Sequence, residues 1–246
     1  MRKKIDVCLI QYRGFGLTYN IMKSIDENTD PEKYDLRFIL VDNGSEDPSA
    51  LIKKDAPRQP FDLDKCVPKD LQARTDVYLF KQNYGAIAMN TAWANSRPDS
   101  DIISPNNDVI FTPGWLDEIY ATLERHPNAG LISPMVSNSG SLKMVRQYEQ
   151  PVREDFQLRF LPSICWFIPR KTIKAVGFLD PNYRLGWAED VDYGEMVRAA
   201  GLETWISGRS FVFHCGSGSA TSSIIDYGNG RAENEAYFAK KWGRPI

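Results

Sequence analysis

Residues 35–45, DLRFILVDNGS, decide the fold. Leu36, Phe38, Ile39, Leu40 and Val41 form a nearly continuous apolar run of strand length, closed by the turn formers Asp42, Asn43, Gly44 and Ser45. A strand with one wet face alternates apolar and polar residues. A run without alternation is buried on both faces, as in a parallel sheet covered by helices.

The segments on either side agree with that reading. Upstream, IDVCLIQ (5–11) is a strand, and Leu17, Ile21 and Ile25 mark one helix face. Downstream, strands are predicted at DVYLF (76–80), DIISP (101–105) and AGLISPMV (129–136). Met89, Ala92, Trp93 and Ser96 give one intervening helix. Leu116, Ile119, Tyr120 and Leu123 give another, entered at Pro113. Alternating strands and helices imply a mostly parallel, Rossmann-like α/β sheet with helices on both faces.

The second half is looser. Residues 137–162 read as a loop or small β region, and 52–75 as an insertion. SICWFIP (163–169) is a strand, RKTIKAVG a short helix ended by Gly177, and SFVFH (210–214) a last strand. GWAEDVDYGEMVRAAG (186–201) is a helix carrying Tyr193, Met196, Val197 and Ala200 on one face and stopping at Gly201. CGSGSATSS follows His214 as a pliable loop, and RAENEAYFAKKW (231–242) is a terminal helix.

Bulk properties exclude several classes. A net charge of −2 argues against a sequence-independent nucleic-acid surface. No apolar run reaches the roughly 20 residues that cross a bilayer, and MRKKIDVCLI is a poor signal peptide. The four scattered cysteines, Cys8, Cys66, Cys165 and Cys215, have no zinc spacing and read as free thiols in a reducing compartment.

In an open parallel sheet, ligands bind beyond the carboxyl ends of the strands. Polar residues collect at each such end: Gln11, Tyr12 and Arg13; Asp42, Asn43 and Ser45; Asn83 and Gly85; Asn106, Asn107 and Asp108; and His214. Each has a bland alternative. VDNGSED can be only a turn, and the Asn106–Asp108 triplet only an Asx turn before a helix. Glu189, Asp190 and Asp192 also complement a helix dipole. Their chemical readings are Asp42 on a nucleobase or ribose, Gly85 opening backbone to a diphosphate, Asp108 on a hard divalent cation, and the Glu189–Asp190 pair as a general base. His126 reads as a solvated helix cap. GFGLTY (14–19) imitates a dinucleotide fingerprint, but Tyr19 stands where its third glycine belongs.

Taken in order, VDNGSED, NYGAIAMN, NNDVIFTPGWL, ICWFIPRKTIKAVGFLD, WAEDVDYGEMVRAAG and FHCGSGS resemble the family 2 inverting glycosyltransferases of GT-A fold, nearest their rhamnosyltransferase-like subgroup. The resemblance covers about residues 5–220 apart from the insertion. It implies one GT-A domain over 1–246: a nucleotide-sugar-binding half (1–136), an acceptor and catalytic half with a smaller β region (137–220), and a C-terminal helix (221–246). It implies a nucleotide-sugar donor (UDP- or dTDP-linked), a divalent metal (Mn2+ or Mg2+), and a glycan or lipid-linked glycan acceptor. With no membrane segment in the sequence, the chain is expected in the cytoplasm or peripheral to a membrane, and a lipid-linked acceptor is then reached from the cytoplasm. Carried over residue by residue, Gln11, Asp42, Asn83, Gly85, Asn90, Asn106 and Asn107 face the donor. Asp108 and His214 hold the metal, Asp190 with Glu189 forms the basic pair, and Trp166 and Trp187 lie on the acceptor side. The chain departs from the pattern at Asn106, where an acid is usual, and at QYRGFG after the first strand. The competing readings are a nicotinamide-dependent oxidoreductase using the 14–19 loop, a nucleotidyltransferase, and an inactive nucleotide-sugar-binding module.

Overall fold

The computed structural model describes residues 2–46, 60–137, 154–183, 186–215 and 227–246. Its apolar runs join in one sheet of nine strands among these residues. They are β1 (Lys3–Gln11), β2 (Tyr34–Asp42), β3 (Thr75–Leu79), β4 (Asp101–Pro105), β5 (Val109–Phe111), β6 (Ala129–Val136), β7 (Phe156–Gln157), β8 (Cys165–Ile168) and β9 (Glu203–His214). The order is β3-β2-β1-β4-β8-β6-β9-β5, with β7 also on β9. β3, β2, β1 and β4 pair in parallel, β8 is antiparallel to both β4 and β6, and β9 is parallel to β6. Six strands therefore point one way and β5, β7 and β8 the other. The fold is the expected mixed α/β, mostly parallel GT-A type.

The described helices are α1 (Phe15–Glu27), α2 (Leu63–Cys66), α3 (Met89–Ala94), α4 (Trp115–Arg125), α5 (Arg170–Val176), α6 (Glu189–Ala199) and α7 (Tyr227–Trp242). Because side chains alternate along a strand, the double burial of β1 and β2 supplies two cores. Ile5, Val7, Leu9, Phe38 and Leu40 pack with Ile21 and Ile25 of α1 and Trp115 and Ile119 of α4. Cys8, Ile39 and Val41 face the other way, toward Trp93 of α3, Trp166 of β8 and Tyr193 of α6. Asp6 alone breaks the apolar inner run of β1, and it is matched: Arg97 Nε (2.8 Å) and Ser100 Oγ (2.7 Å) both donate to it.

Several boundaries differ from the sequence reading. Val109–Phe111 is a strand on β9 rather than a mere apolar return. β9 begins at Glu203 instead of 210, its register against β6 jumping from Ser207 to Phe211. α6 begins at Glu189 because Gly186, Trp187 and Ala188 have φ of 118°, 82° and 71°, which no right-handed helix admits. Of the expected insertion, 60–75 holds α2 and one 3-10 turn. Residues 52–59, 138–153 of the expected loop, and 216–223 of the Gly/Ser segment lie outside the described residues.

Candidate active site

β1, β2, β3, β4, β6 and β9 run in the same direction, so their carboxyl ends share one edge. Gln11 ends β1 and Asp42 ends β2, paired in register. Gln11 Nε2 donates to Asp42 Oδ1 and to Ser45 Oγ, each at 2.9 Å, and the Ser45 backbone N–H reaches Asp42 Oδ2 at 3.1 Å. Gly14 N–H closes the set on Gln11 Oε1 at 2.9 Å. Asp42 is only 2% exposed, so in this structure its carboxylate ties the β1 and β2 loops together. A nucleobase reaching Asp42 must exchange with the Ser45 contacts.

Asn43 builds the next part of the edge. Its Nδ2 donates to Asn83 Oδ1 (3.0 Å) and Gly85 O (3.1 Å), while its Oδ1 accepts from Tyr84 N–H (2.9 Å). Asn83 Oδ1 also accepts Gly85 N–H at 2.7 Å. Gly44 is required between them: φ is 81°, and a Cβ there would lie 2.4 Å from the backbone carbon of Gln82. Arg13, Asn43 and Ser45 stand among the polar residues at the strand ends, but the sequence assigns none of them a chemical role. Yet Arg13 is a non-glycine residue at φ 52°, with its N–H on Ser45 Oγ at 2.9 Å.

The triplet after β4 splits three ways. Asn106 is exposed, and its backbone N–H donates to Ile164 O at 2.8 Å. Asn107 turns inward, with Nδ2 3.4 Å from Thr18 Oγ1 and packed on Gly14. It therefore seats α1 under the triplet rather than facing outward with Asn106. Asp108 is buried, and its Oδ1 lies 3.2 Å from His214 Nε2. The antiparallel β5–β9 pair sets Val109 opposite His214 and so produces this contact. Among the described residues no group of three or more His, Cys, Asp or Glu gathers in the manner of an all-protein metal cage. One carboxylate with one imidazole suits an ion that takes its remaining ligands from phosphate and water, as Mg2+ and Mn2+ do. The 3.2 Å separation also suits neighbouring ligands at bonds of about 2.1 Å.

Glu189 and Asp190 open α6. Glu189 is 7% exposed, and its Oε2 has no hydrogen-bond partner among the described residues. Burial first, and then the charge of Asp190, push its carboxyl up to about 7. Burial also raises Asp190, against the opposing pull of N–H groups from Val191 (2.8 Å) and Ser163. Ser163 adjoins Ile164, whose carbonyl holds Asn106. The turn before β8 thus links the Glu189–Asp190 helix entry to the Asp108 loop. The third acid, Asp192, is elsewhere engaged: it is buried and accepts from Trp242 Nε1 (2.7 Å), Lys241 Nζ (2.8 Å) and Tyr183 OH (3.0 Å).

One expectation is overturned, and two other residues have partners the sequence does not announce. Trp166 is 2% exposed, stacked on Tyr193 at a centroid distance of 5.6 Å, with Nε1 on Leu161 O. It is core, and no sugar can lie on it. Asn90 clamps the Leu179 backbone, Nδ2 to O at 2.8 Å and N–H to Oδ1 at 2.9 Å, so in this structure its amide braces the 177–183 segment. His126 is the C-cap of α4 as expected, its N–H on Thr122 O at 2.9 Å, but it is not merely solvated: its ring stacks on Trp205 at 3.5 Å and its Nε2 lies 3.3 Å from Asp155. Trp187, at 43% exposure, does present a ring, with one face under the Arg231 guanidinium at 3.8 Å. Cys8, Cys66 and Cys165 are buried free thiols and Cys215 is an exposed one. Burial pushes the Cys66 thiol up to about 12, which makes it a poor nucleophile.

A mostly parallel sheet with polar carboxyl ends and an acidic helix entry defines the class. The glycosyl transferase family 2 signature matches residues 17–174, well over half of the chain. The chain belongs to that family. No curated protein matches it. Among solved structures it resembles "Crystal structure of GalNAc-T7 with UDP, GalNAc and Mn2+", with a TM-score of 0.63 and 11% identity over 86% of this chain and 43% of that one. At that identity the likeness concerns the fold, and this chain spans under half the length of that protein. No described helix is long and apolar enough to cross a membrane.

Proposed function

We propose that the chain is an inverting, metal-dependent glycosyltransferase that moves a sugar from a UDP- or dTDP-linked donor to an acceptor hydroxyl. One juxtaposition carries the reading. The adjacent residues Ser163 and Ile164 hold Asp190 through an N–H and Asn106 through a carbonyl. A basic carboxylate and the Asp108–His214 pair therefore stand on the same edge.

The donor's nucleotide lies over the ends of β1, β2 and β3, against the Gln11–Asp42–Ser45 cluster and the Asn43–Asn83–Gly85 turn. Asp108 and His214 would hold the divalent ion, which when bound neutralises charge on the leaving diphosphate. Asp190 accepts the acceptor hydroxyl's proton as that oxygen attacks the anomeric carbon from the face opposite the diphosphate. Burial serves this role, because a raised carboxyl is a stronger base than a solvated one. Glu189, unpartnered at Oε2 among the described residues, lies beside it as the second acid. The exposed face of Trp187 offers an apolar platform for an acceptor ring. A glycan or lipid-linked glycan acceptor and a rhamnosyltransferase-like subgroup are supported by the motif order alone, and a cytoplasmic setting by the free thiols.

Calorimetry with UDP, dTDP and NAD(P), followed by donor hydrolysis with Mn2+ or Mg2+, tests the reading. It predicts nucleotide diphosphate binding, no NAD(P) binding, and slow metal-dependent hydrolysis. NAD(P) binding in their place supports the oxidoreductase, and binding without any turnover supports the inactive module.

A further inference from the structure

We infer that Asn234, on the C-terminal helix α7, is a positioning residue for the Glu189–Asp190 pair. The inference rests on the reading above for what the pair does, though not for how it is held. The turn entering α6 runs through three consecutive left-handed residues, and two of them, Trp187 and Ala188, have none of glycine's freedom. Such a turn persists only where its surroundings over-determine it. The Ala188 carbonyl is taken into the helix by Asp192 N–H at 2.9 Å, but the Gly186 and Trp187 carbonyls need partners from elsewhere.

Asn234 meets both needs. It is 1% exposed, and its Nδ2 donates to Gly186 O and to Trp187 O, each at 3.0 Å. Its helix neighbours hold the Trp187 side chain as well. Glu235 Oε1 accepts the indole N–H at 3.1 Å, and Arg231 covers the ring while pairing with Glu235 at 2.8 Å. One turn into α6, Asp192 takes the far end of the same helix through Trp242 and Lys241. α7 thus grips the acidic entry on both sides, at 186–187 and at 192. Held so, the turn directs the Trp187 and Glu189 backbone N–H groups to the Glu189 carboxylate. Released, Trp187 and Ala188 relax toward ordinary φ, and both acids rotate away.

The test uses the full chain carrying Asn234→Ala, Asn234→Asp and, as a control on the exposed side of α7, Lys240→Ala. Asn234→Ala is expected to lower kcat about 10- to 100-fold, the scale of an ångström-sized misplacement. Donor KM should stay within about threefold, and the acidic limb of the pH–rate profile should move. Amide hydrogen exchange should rise across 186–191 and stay unchanged in β1 and β2. Asn234→Asp sets a carboxylate against two carbonyls and should lose as much, while Lys240→Ala changes nothing. Wild-type kcat and pH profile in Asn234→Ala would overturn the inference, as would a uniform rise in exchange that includes β1 and β2. If the unmodified chain neither transfers nor hydrolyses any donor, the transferase reading fails. Exchange at 186–191 then decides this inference alone: raised in Asn234→Ala it stands, unchanged it falls.

Discussion

His214 and Asp108 meet across the β5–β9 pair, imidazole Nε2 3.2 Å from carboxylate Oδ1. The contact depends on β5, three residues long, folding back antiparallel to the end of β9. Asp108 also anchors the residue after His214, since its carbonyl accepts Cys215 N–H at 2.8 Å. That backbone bond survives side-chain substitution, so the carboxylate can be tested without unpinning the loop.

Asp108→Asn and His214→Ala should each weaken metal-dependent nucleotide-sugar binding by at least about 10- to 100-fold, the loss that follows when only the outer partners of a metal's ligands are removed. Titrating UDP at fixed Mn2+ checks this. If the pair is only structural, the melting temperature drops and nucleotide affinity with metal does not change.

Asp190→Asn should lower transfer by about 100- to 10,000-fold, the span of a lost general base. Nucleotide binding should persist, because the Gln11–Asp42–Ser45 cluster is untouched. Single-turnover transfer beside equilibrium binding separates the two. Transfer within tenfold of the unmodified chain means that Asp190 is not the base.

Glu189 makes stability fall as pH rises. Its carboxyl lies near 7 in the folded chain against 4.5 ordinarily. Between those values the folded state holds a proton that the unfolded state has released, so unfolding free energy declines with pH. Below about 4.5 both states are protonated and the penalty is absent; above about 7 it is complete. Glu189→Gln cannot ionise. Its stability advantage should therefore open between about pH 4.5 and 7 and reach about 1–3 kcal/mol above that. Paired urea titrations at pH 4.5 and 8 measure it. An equal difference at both pH values contradicts the assignment.

The two tryptophans should part company. Trp166→Ala empties a core site and should cost about 3–5 kcal/mol. Trp187→Ala, at an exposed ring, should change stability by far less and instead raise acceptor KM. Urea unfolding and acceptor kinetics on both variants test the contrast.

What the sequence made legible follows from where each signal arises. The apolar runs of β1 and β2 announced double burial because both faces of these strands meet helices, which needs no knowledge of the partner. The helix faces of α1 and α4 were visible for the same local reason. The antiparallel insertion of β8 between β4 and β6 was not, because strand order is fixed by tertiary pairing. β5 was too short to register as a strand. At the site, Asp108 and His214 stood out by residue type and position at strand ends. The inward turns of Asn107 and Asn90 and the burial of Trp166 depend on what packs over them. Asn234 was invisible because its partners are backbone carbonyls, which carry no sequence signature.

The most direct measurement is a thermal-shift panel of nucleotide sugars with and without Mn2+. The account predicts that one UDP- or dTDP-sugar raises the melting temperature by several degrees only when metal is present, and that Asp108→Asn abolishes the shift. A chain that no nucleotide sugar stabilises, with or without metal, contradicts it.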